Sequence, residues 1–129
     1  MKEPSWMNLE DCLAIHEMML AQHGGLSGVR DVGLLESALS KPQNLFAYGS
    51  PTLAEMAASY AKGIILNHPF LDGNKRTGFM VAAVFLEVNG RLLTATEESV
   101  VEKTMSLAAG ALKESGYAAW LKANSRKRP

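Results

Sequence analysis

The sequence predicts an all-α fold, a compact six-helix bundle around one buried central helix. Three observations predict it. Apolar residues recur at offsets of three and four along most of the chain, the period of a helix face. Capping residues, glycines and prolines divide that pattern into six segments of helical length. Only Arg91 to Thr94 reads as extended.

Asn8 is a natural N-cap for a first helix over residues 9–22, which carries Leu9, Leu13, His16 and Leu20 on one stripe. Gly24-Gly25 stops it. His16 in that stripe reads as a hydrogen-bonded core histidine rather than a ligand. Asp31 caps a second helix through Leu34, Leu35, Ala38 and Leu39, and Pro42 is expected to end it. Asn44 to Thr52, with Gly49 and Pro51, reads as a loop or short hairpin. Leu53 to Leu66 is Ala-rich and helical, and Asn67 to Gly73 breaks the pattern. A strongly apolar helix follows over residues 74–89, with Gly90 where a left-handed C-terminal cap belongs. Its apolar residues lie on nearly every side, which marks it as the buried central helix. Thr96 opens a helix to about Ala109, and Ser115 opens the last one through Trp120 and Leu121. Met18, Met19, Met56, Met80 and Met105 read as core fillers.

A length of 129 residues with 47% hydrophobic and 20% charged residues is that of one globular domain. We place that domain at residues 1–125, with a basic tail at 126–129. The longest apolar run, Gly78 to Leu86, is too short to cross a bilayer. Met1 to Trp6 lacks a signal core, and the lone Cys12 forms neither an internal disulfide nor a zinc site. The chain therefore reads as cytoplasmic. Every acidic residue precedes position 122, whereas Lys122, Arg126, Lys127 and Arg128 crowd the end. The body is acidic, which argues against a broad nucleic-acid surface. The basic end reads as frayed and solvated.

Chemistry concentrates in His68-Pro69-Phe70-Leu71-Asp72-Gly73-Asn74-Lys75-Arg76-Thr77. The free N–H groups and positive dipole end of a helix start make an anion site. Gly73 lets a phosphate approach the backbone. Lys75 and Arg76 add two cations in the turn where the dipole disfavours them, and such broken rules tend to mark function. Asp72 offers a hard oxygen suited to nucleotide-borne Mg²⁺. His68 is a candidate general base. Each feature alone has a bland reading, as a loop histidine, a turn or surface charge. Their concentration in ten residues favours phosphoryl or nucleotidyl transfer to a hydroxyl. A Walker A loop and a kinase Gly-rich loop are both absent.

This segment resembles the signature of Fic-domain proteins, His-x-Phe-x-(Asp/Glu)-Gly-Asn-Gly-Arg followed by a second Arg. Lys75 stands where the adenylylating members have Gly, and Phe79 where they carry the second Arg. Both departures are those of the death-on-curing (Doc) branch, the toxins of toxin–antitoxin pairs. His23-Gly24-Gly25, Arg30-Asp31, Gly33 to Ala38 and the Asn89-Gly90 helix end also look like that branch.

The resemblance implies a six-helix toxin that transfers the γ-phosphate of ATP, with Mg²⁺, to a threonine of elongation factor Tu. The alternatives are adenylylation through the same His68 and a catalytically silent module that binds antitoxin. Carried over, His68 takes the acceptor proton, and Asp72 holds Mg²⁺ or orients His68. Gly73 and Asn74 offer backbone N–H groups and an amide to the phosphates, while Lys75 and Arg76 neutralise charge. Phe70 is an anchor. Arg30 and Asp31 are read as a buttress of the site or, for Asp31, a simple N-cap. The Phe46 to Thr52 loop either lines up the target by strand addition or is packing. Thr94 to Glu98 approaches the self-blocking (Ser/Thr)-x-x-x-Glu-(Gly/Asn) helix of some Fic proteins, but Ser99 replaces Gly or Asn. Inhibition is then expected from a cognate antitoxin whose C-terminal segment folds into a groove, with no direct nucleic-acid or membrane contact by this chain.

Overall fold

Four of the six helix starts carry a side-chain cap, and these caps set where the chain turns. The computed structural model describes residues 2–129. Helix α1 (Leu9–His23) begins at Asn8, whose side chain accepts from Asp11 N–H while Asp11 accepts from Asn8 N–H. Helix α2 (Val32–Tyr48) is capped by Asp31 on Leu34 N–H. Helix α3 (Leu53–Asn67) opens with a second capping box, Thr52 with Glu55. Helix α4 (Asn74–Val88) starts at Gly73 and α6 (Glu114–Ala123) at Lys113, both without a side-chain cap, while Thr96 caps α5 (Glu97–Ala108). The all-α expectation holds, with one small addition: β1 (Arg91–Leu93) pairs antiparallel with β2 (Ser125–Lys127).

Several expectations are corrected. Pro42 does not end α2, which runs on to Tyr48. A proline inside a helix removes one N–H bond, here the one Ala38 C=O would accept, and crowds that carbonyl. Packing outweighs the loss: Pro42 is buried, and Phe46 meets the edge of Trp6 with ring centroids 5.7 Å apart. Only Gly49 to Thr52 connects α2 to α3, so Phe46 to Tyr48 of the expected Phe46 to Thr52 loop are helix, and none of that segment lines the site groove described below.

The most buried helix is α3 rather than α4. Ten α3 residues are buried, against seven on α4, whose Phe79, Met80, Ala83 and Val84 stay half-buried. Small residues explain this. A Cβ on Gly63 would lie 3.1 Å from Ala38 Cβ, and one on Gly78 would lie 2.9 Å from Ile65 Cγ1. Glycines there let α2 and α4 close onto the two sides of α3.

The basic end is not frayed. Beyond the β-ribbon, Arg128 N–H donates to Gly90 C=O at 2.8 Å, and its guanidinium reaches Glu87 C=O at 3.0 Å. Among the methionines, Met19 and Met56 are core, but Met18 and Met105 are 41% and 52% exposed. Cys12 is buried, as expected, and burial pushes its thiol up to about 12, followed by the nearby Asp11 charge. A thiol held protonated is no nucleophile.

Candidate active site

Helix α3 ends at His68, whose N–H still donates to Ile64 C=O at 3.1 Å. His68 adopts the left-handed conformation, φ 51° and ψ 53°, the one non-glycine residue with positive φ among the described residues. That reversal turns the chain out of α3 and into the loop that begins α4. His68 itself is exposed and lines the groove.

The loop is zipped to the segment before α2. Val29 and Phe70 form an antiparallel bridge. Leu71 N–H donates to Gly28 C=O at 3.1 Å, and the N–H groups of Arg30 and Asp31 both donate to Pro69 C=O, at 2.6 and 3.0 Å. Arg30 also sends its side chain to the end of α3, with Nε to His68 C=O at 2.7 Å and Nη2 to Asn67 C=O at 3.0 Å. Asp31 caps α2, so the buttress and the cap are both present in neighbouring residues.

From the inside, Phe70 is fully buried and His16 stacks on it. His16 Nε2 donates to Asp72 C=O at 2.9 Å, which makes it the hydrogen-bonded core histidine expected. The Asn74 amide closes a ring with Phe70: Phe70 N–H donates to Oδ1 and Nδ2 donates to Phe70 C=O, both at 3.0 Å. Asn74 is only 4% exposed. Its side chain is thus spent on the loop, and what it turns toward an anion is its backbone N–H.

The start of α4 is open. Gly73 has φ +79°, and a Cβ there would sit 3.7 Å from His16 Nε2 and Leu20 Cδ2. Glycine is needed for the left-handed turn rather than to clear space for a phosphate, because its missing side chain faces inward. Gly73 offers no cap, and Thr77 N–H is the first to find a partner, Gly73 C=O at 3.0 Å. The N–H groups of Asn74, Lys75 and Arg76 are left for a ligand. Lys75 and Arg76 are exposed in that turn, and neither pairs with a carboxylate, since the one ion pair among the described residues is Lys103–Glu102.

Asp72 Oδ1 accepts from Gly73 N–H at 2.9 Å and Oδ2 from Leu26 N–H at 3.2 Å. The carboxylate is therefore oriented, exposed, and still has lone pairs to give. No cluster of three His, Cys, Asp or Glu stands ready for a metal among the described residues. One carboxylate suits Mg²⁺ that arrives on phosphates and completes its shell with them and water, not a resident ion.

His68, Asp72, Gly73, Asn74, Lys75 and Arg76 all line one groove of about 940 Å³. Its other wall was not legible beforehand. It comes from α5, through Val100, Val101, Thr104 and Met105, with Phe79 and Met80 of α4. Glu97 rather than Glu98 reaches the groove from the start of α5. The fit of Gly25 under Asp72 went unread, although the crowded glycines 24, 25 and 28 were its sequence signal. All three have positive φ.

The Fic/DOC family model matches residues 6–86, more than half of the chain. The chain belongs to the Fic/DOC family. Within it, the chain is 33% identical over 110 residues to Protein kinase doc of Escherichia phage P1, covering 84% of this chain and 86% of that protein. It is 43% identical over 75 residues to Toxin Doc of Mycolicibacterium smegmatis (strain ATCC 700084 / mc(2)155), covering 56% of this chain and 57% of that one. The Fic/DOC match spans α1 to α4 and stops short of α5, α6 and the ribbon.

Proposed function

We propose that this chain is the toxin of a toxin–antitoxin pair and acts as a protein kinase, moving the γ-phosphate of ATP to a threonine hydroxyl of a translation factor such as elongation factor Tu. The observation that carries this is the uncapped start of α4, with Lys75 and Arg76 in its first turn and His68 and Asp72 on the same groove. The names of the two Doc relatives support it, one a kinase and the other a toxin.

In the mechanism, the N–H groups of Asn74, Lys75 and Arg76 hold the phosphates, and the two cations spread the charge that builds on the transferred group. His68 takes the proton of the acceptor hydroxyl as its oxygen forms the new bond to the γ-phosphorus. The bond to the bridging β,γ-oxygen breaks, which leaves ADP and a phosphoprotein. Asp72 is the residue that would hold Mg²⁺, and the ion supplies charge neutralisation between the phosphates when bound. Lys75 in place of Gly fills space beside the cradle, and Phe79 removes a charged fork for the far phosphates, which favours the nucleotide lying with its γ-phosphate toward the acceptor.

The apolar half of the groove suits the antitoxin. Val101 and Met105, one helical turn apart on α5, are 62% and 52% exposed. An antitoxin segment that folds as a helix over them would cover the site and inhibit it. The protein acts without membrane insertion in this proposal, as a cytoplasmic enzyme; among the described residues no helix is long and apolar enough to cross a membrane.

Purified protein, Mg²⁺ and elongation factor Tu are incubated with ATP labelled on the α- or the γ-phosphate. Transfer of γ-label, reduced about 10²–10⁴-fold in His68→Ala, is the expected result. Transfer of α-label would make the chain an adenylyltransferase. No transfer to the factor, together with no growth arrest on expression without antitoxin, would leave a silent binding module.

A further inference from the structure

His68 sits in a backbone conformation it has two reasons to avoid. A side chain with a Cβ disfavours the left-handed region, and the proline that follows pulls the preceding residue toward extended backbone. The φ of 51° therefore has to be imposed from outside. The groups that impose it come from the segment before α2. Arg30 reaches the two carbonyls on either side of the turn, Asn67 and His68, with two different nitrogens of one guanidinium. Its own N–H and that of Asp31 fix the next carbonyl, Pro69. Three consecutive carbonyls are thus held by one residue and its neighbour. The Asn67 side chain adds a bond to Leu34 C=O at 2.9 Å, so the same corner is tied to the first turn of α2.

We propose that Arg30 is the positioning residue for His68: its guanidinium clamps the left-handed turn and thereby keeps the imidazole on the groove. This rests on His68 being the general base proposed above. A plain helix C-cap is the competing account, since cations are favourable at the end of α3 whatever the turn does. The two differ in what they predict. Arg30 is exposed, and the carbonyls it serves would be taken over by water if it were removed, so a capping role costs some stability and nothing else. A positioning role costs turnover. It leaves the phosphate cradle alone, because the Asp72 carboxylate is held by the N–H groups of Gly73 and Leu26 and the start of α4 by the Phe70–Asn74 ring, none of which bonds the Arg30 side chain.

The test compares wild type, Arg30→Ala and Arg30→Lys in the γ-label assay at varied ATP. For Arg30→Ala, kcat is expected to fall about 10²-fold, the cost of a displaced catalytic group, with KM for ATP within about threefold of wild type. Guanidinium ion far below denaturing concentration should restore part of that rate, and urea at the same concentration should not. Arg30→Lys should recover little, since an ammonium cannot span two carbonyls as a planar fork does. An unchanged kcat, or a rise in KM that accounts for the whole loss, overturns the clamp. If circular dichroism shows Arg30→Ala unfolded, Arg30→Lys carries the same readouts.

A measurement free of activity separates this idea from the proposed function. The ring signals of the three histidines are recorded by NMR, with His68 assigned by its loss in His68→Ala. Arg30→Ala should move and broaden the His68 signal while that of His23 stays. A His68 signal that does not move overturns the clamp even if wild type transfers no phosphate, and a signal that moves upholds it in that case.

Discussion

His16 lies flat against Phe70, with ring centroids 3.8 Å apart and planes 9° from parallel, while its Nε2 donates to Asp72 C=O at 2.9 Å. A carbonyl only accepts, so Nε2 carries the proton. One buried residue of α1 therefore sets both the anchor of the loop and the backbone of its acidic residue. Replacing His16 with Leu keeps an apolar side chain but leaves the Asp72 carbonyl without this donor. A loss of about 1–3 kcal/mol in urea unfolding is expected. A loss below about 0.5 kcal/mol, the size of an ordinary surface change, would show that the bond contributes little to holding the loop.

Gly25 and Gly24 make a matched pair of probes for Asp72. A Cβ on Gly25 would lie 2.8 Å from Asp72 Oδ2, whereas one on Gly24 would meet nothing within 4 Å; both glycines have positive φ. Alanine at either position strains the backbone by about 1–2 kcal/mol. Only Gly25→Ala also pushes the carboxylate away from Leu26 N–H. Both variants should therefore melt earlier, but only Gly25→Ala should weaken Mg²⁺-dependent ATP binding in calorimetry. Equal binding by the two variants would remove Asp72 from the metal role.

How much of this was legible follows from what each feature depends on. The capped starts of α1, α2 and α5 could be read because Asn8, Asp31 and Thr96 act within three residues of themselves. The site segment could be read because its chemistry is contiguous, from His68 to Arg76. The run of α2 through Pro42 could not, because its compensation lies in Trp6, forty residues away. Nor could the greater burial of α3, which depends on Gly63 and Gly78 meeting Ala38 and Ile65 across helices. The basic end looked solvated because two three-residue strands carry almost no pattern of their own. The amide of Asn74 looked available for phosphate because its partner, Phe70, is reached only after the loop folds back.

Asn74 is a structural residue in the middle of a chemical motif, and its variants should behave accordingly. Asn74→Ala leaves the buried N–H and C=O of Phe70 without their side-chain partner, at about 1–3 kcal/mol for each group. Urea unfolding should show that loss, and hydrogen exchange at the Phe70 amide should speed up with it. Full stability in Asn74→Ala, with activity lost, would return the amide to the phosphates.

The core titrates at high pH. Burial pushes Tyr60 and Tyr117 from 10.0 up to about 12, and burial with the Asp11 charge takes Cys12 from 9.0 to about 12. Below pH 9 these groups are protonated in both the folded and the unfolded chain, and their full contribution to stability is present. As pH rises, the unfolded chain ionises first, the thiol near 9 and the phenols near 10, while the folded chain keeps its protons until about 12. Unfolding then releases protons, and stability falls through this window by up to about 1.4 kcal/mol per pH unit for each group. Urea unfolding at stepped pH should show the decline, with tyrosinate absorbance from these two phenols appearing together with loss of helix. Tyr117→Phe removes one titrating group at the cost of the Thr104 hydroxyl's 2.9 Å partner. It should be less stable near neutral pH yet lose stability less steeply above pH 10. A slope equal to that of wild type would mean that Tyr117 already ionises in the folded protein.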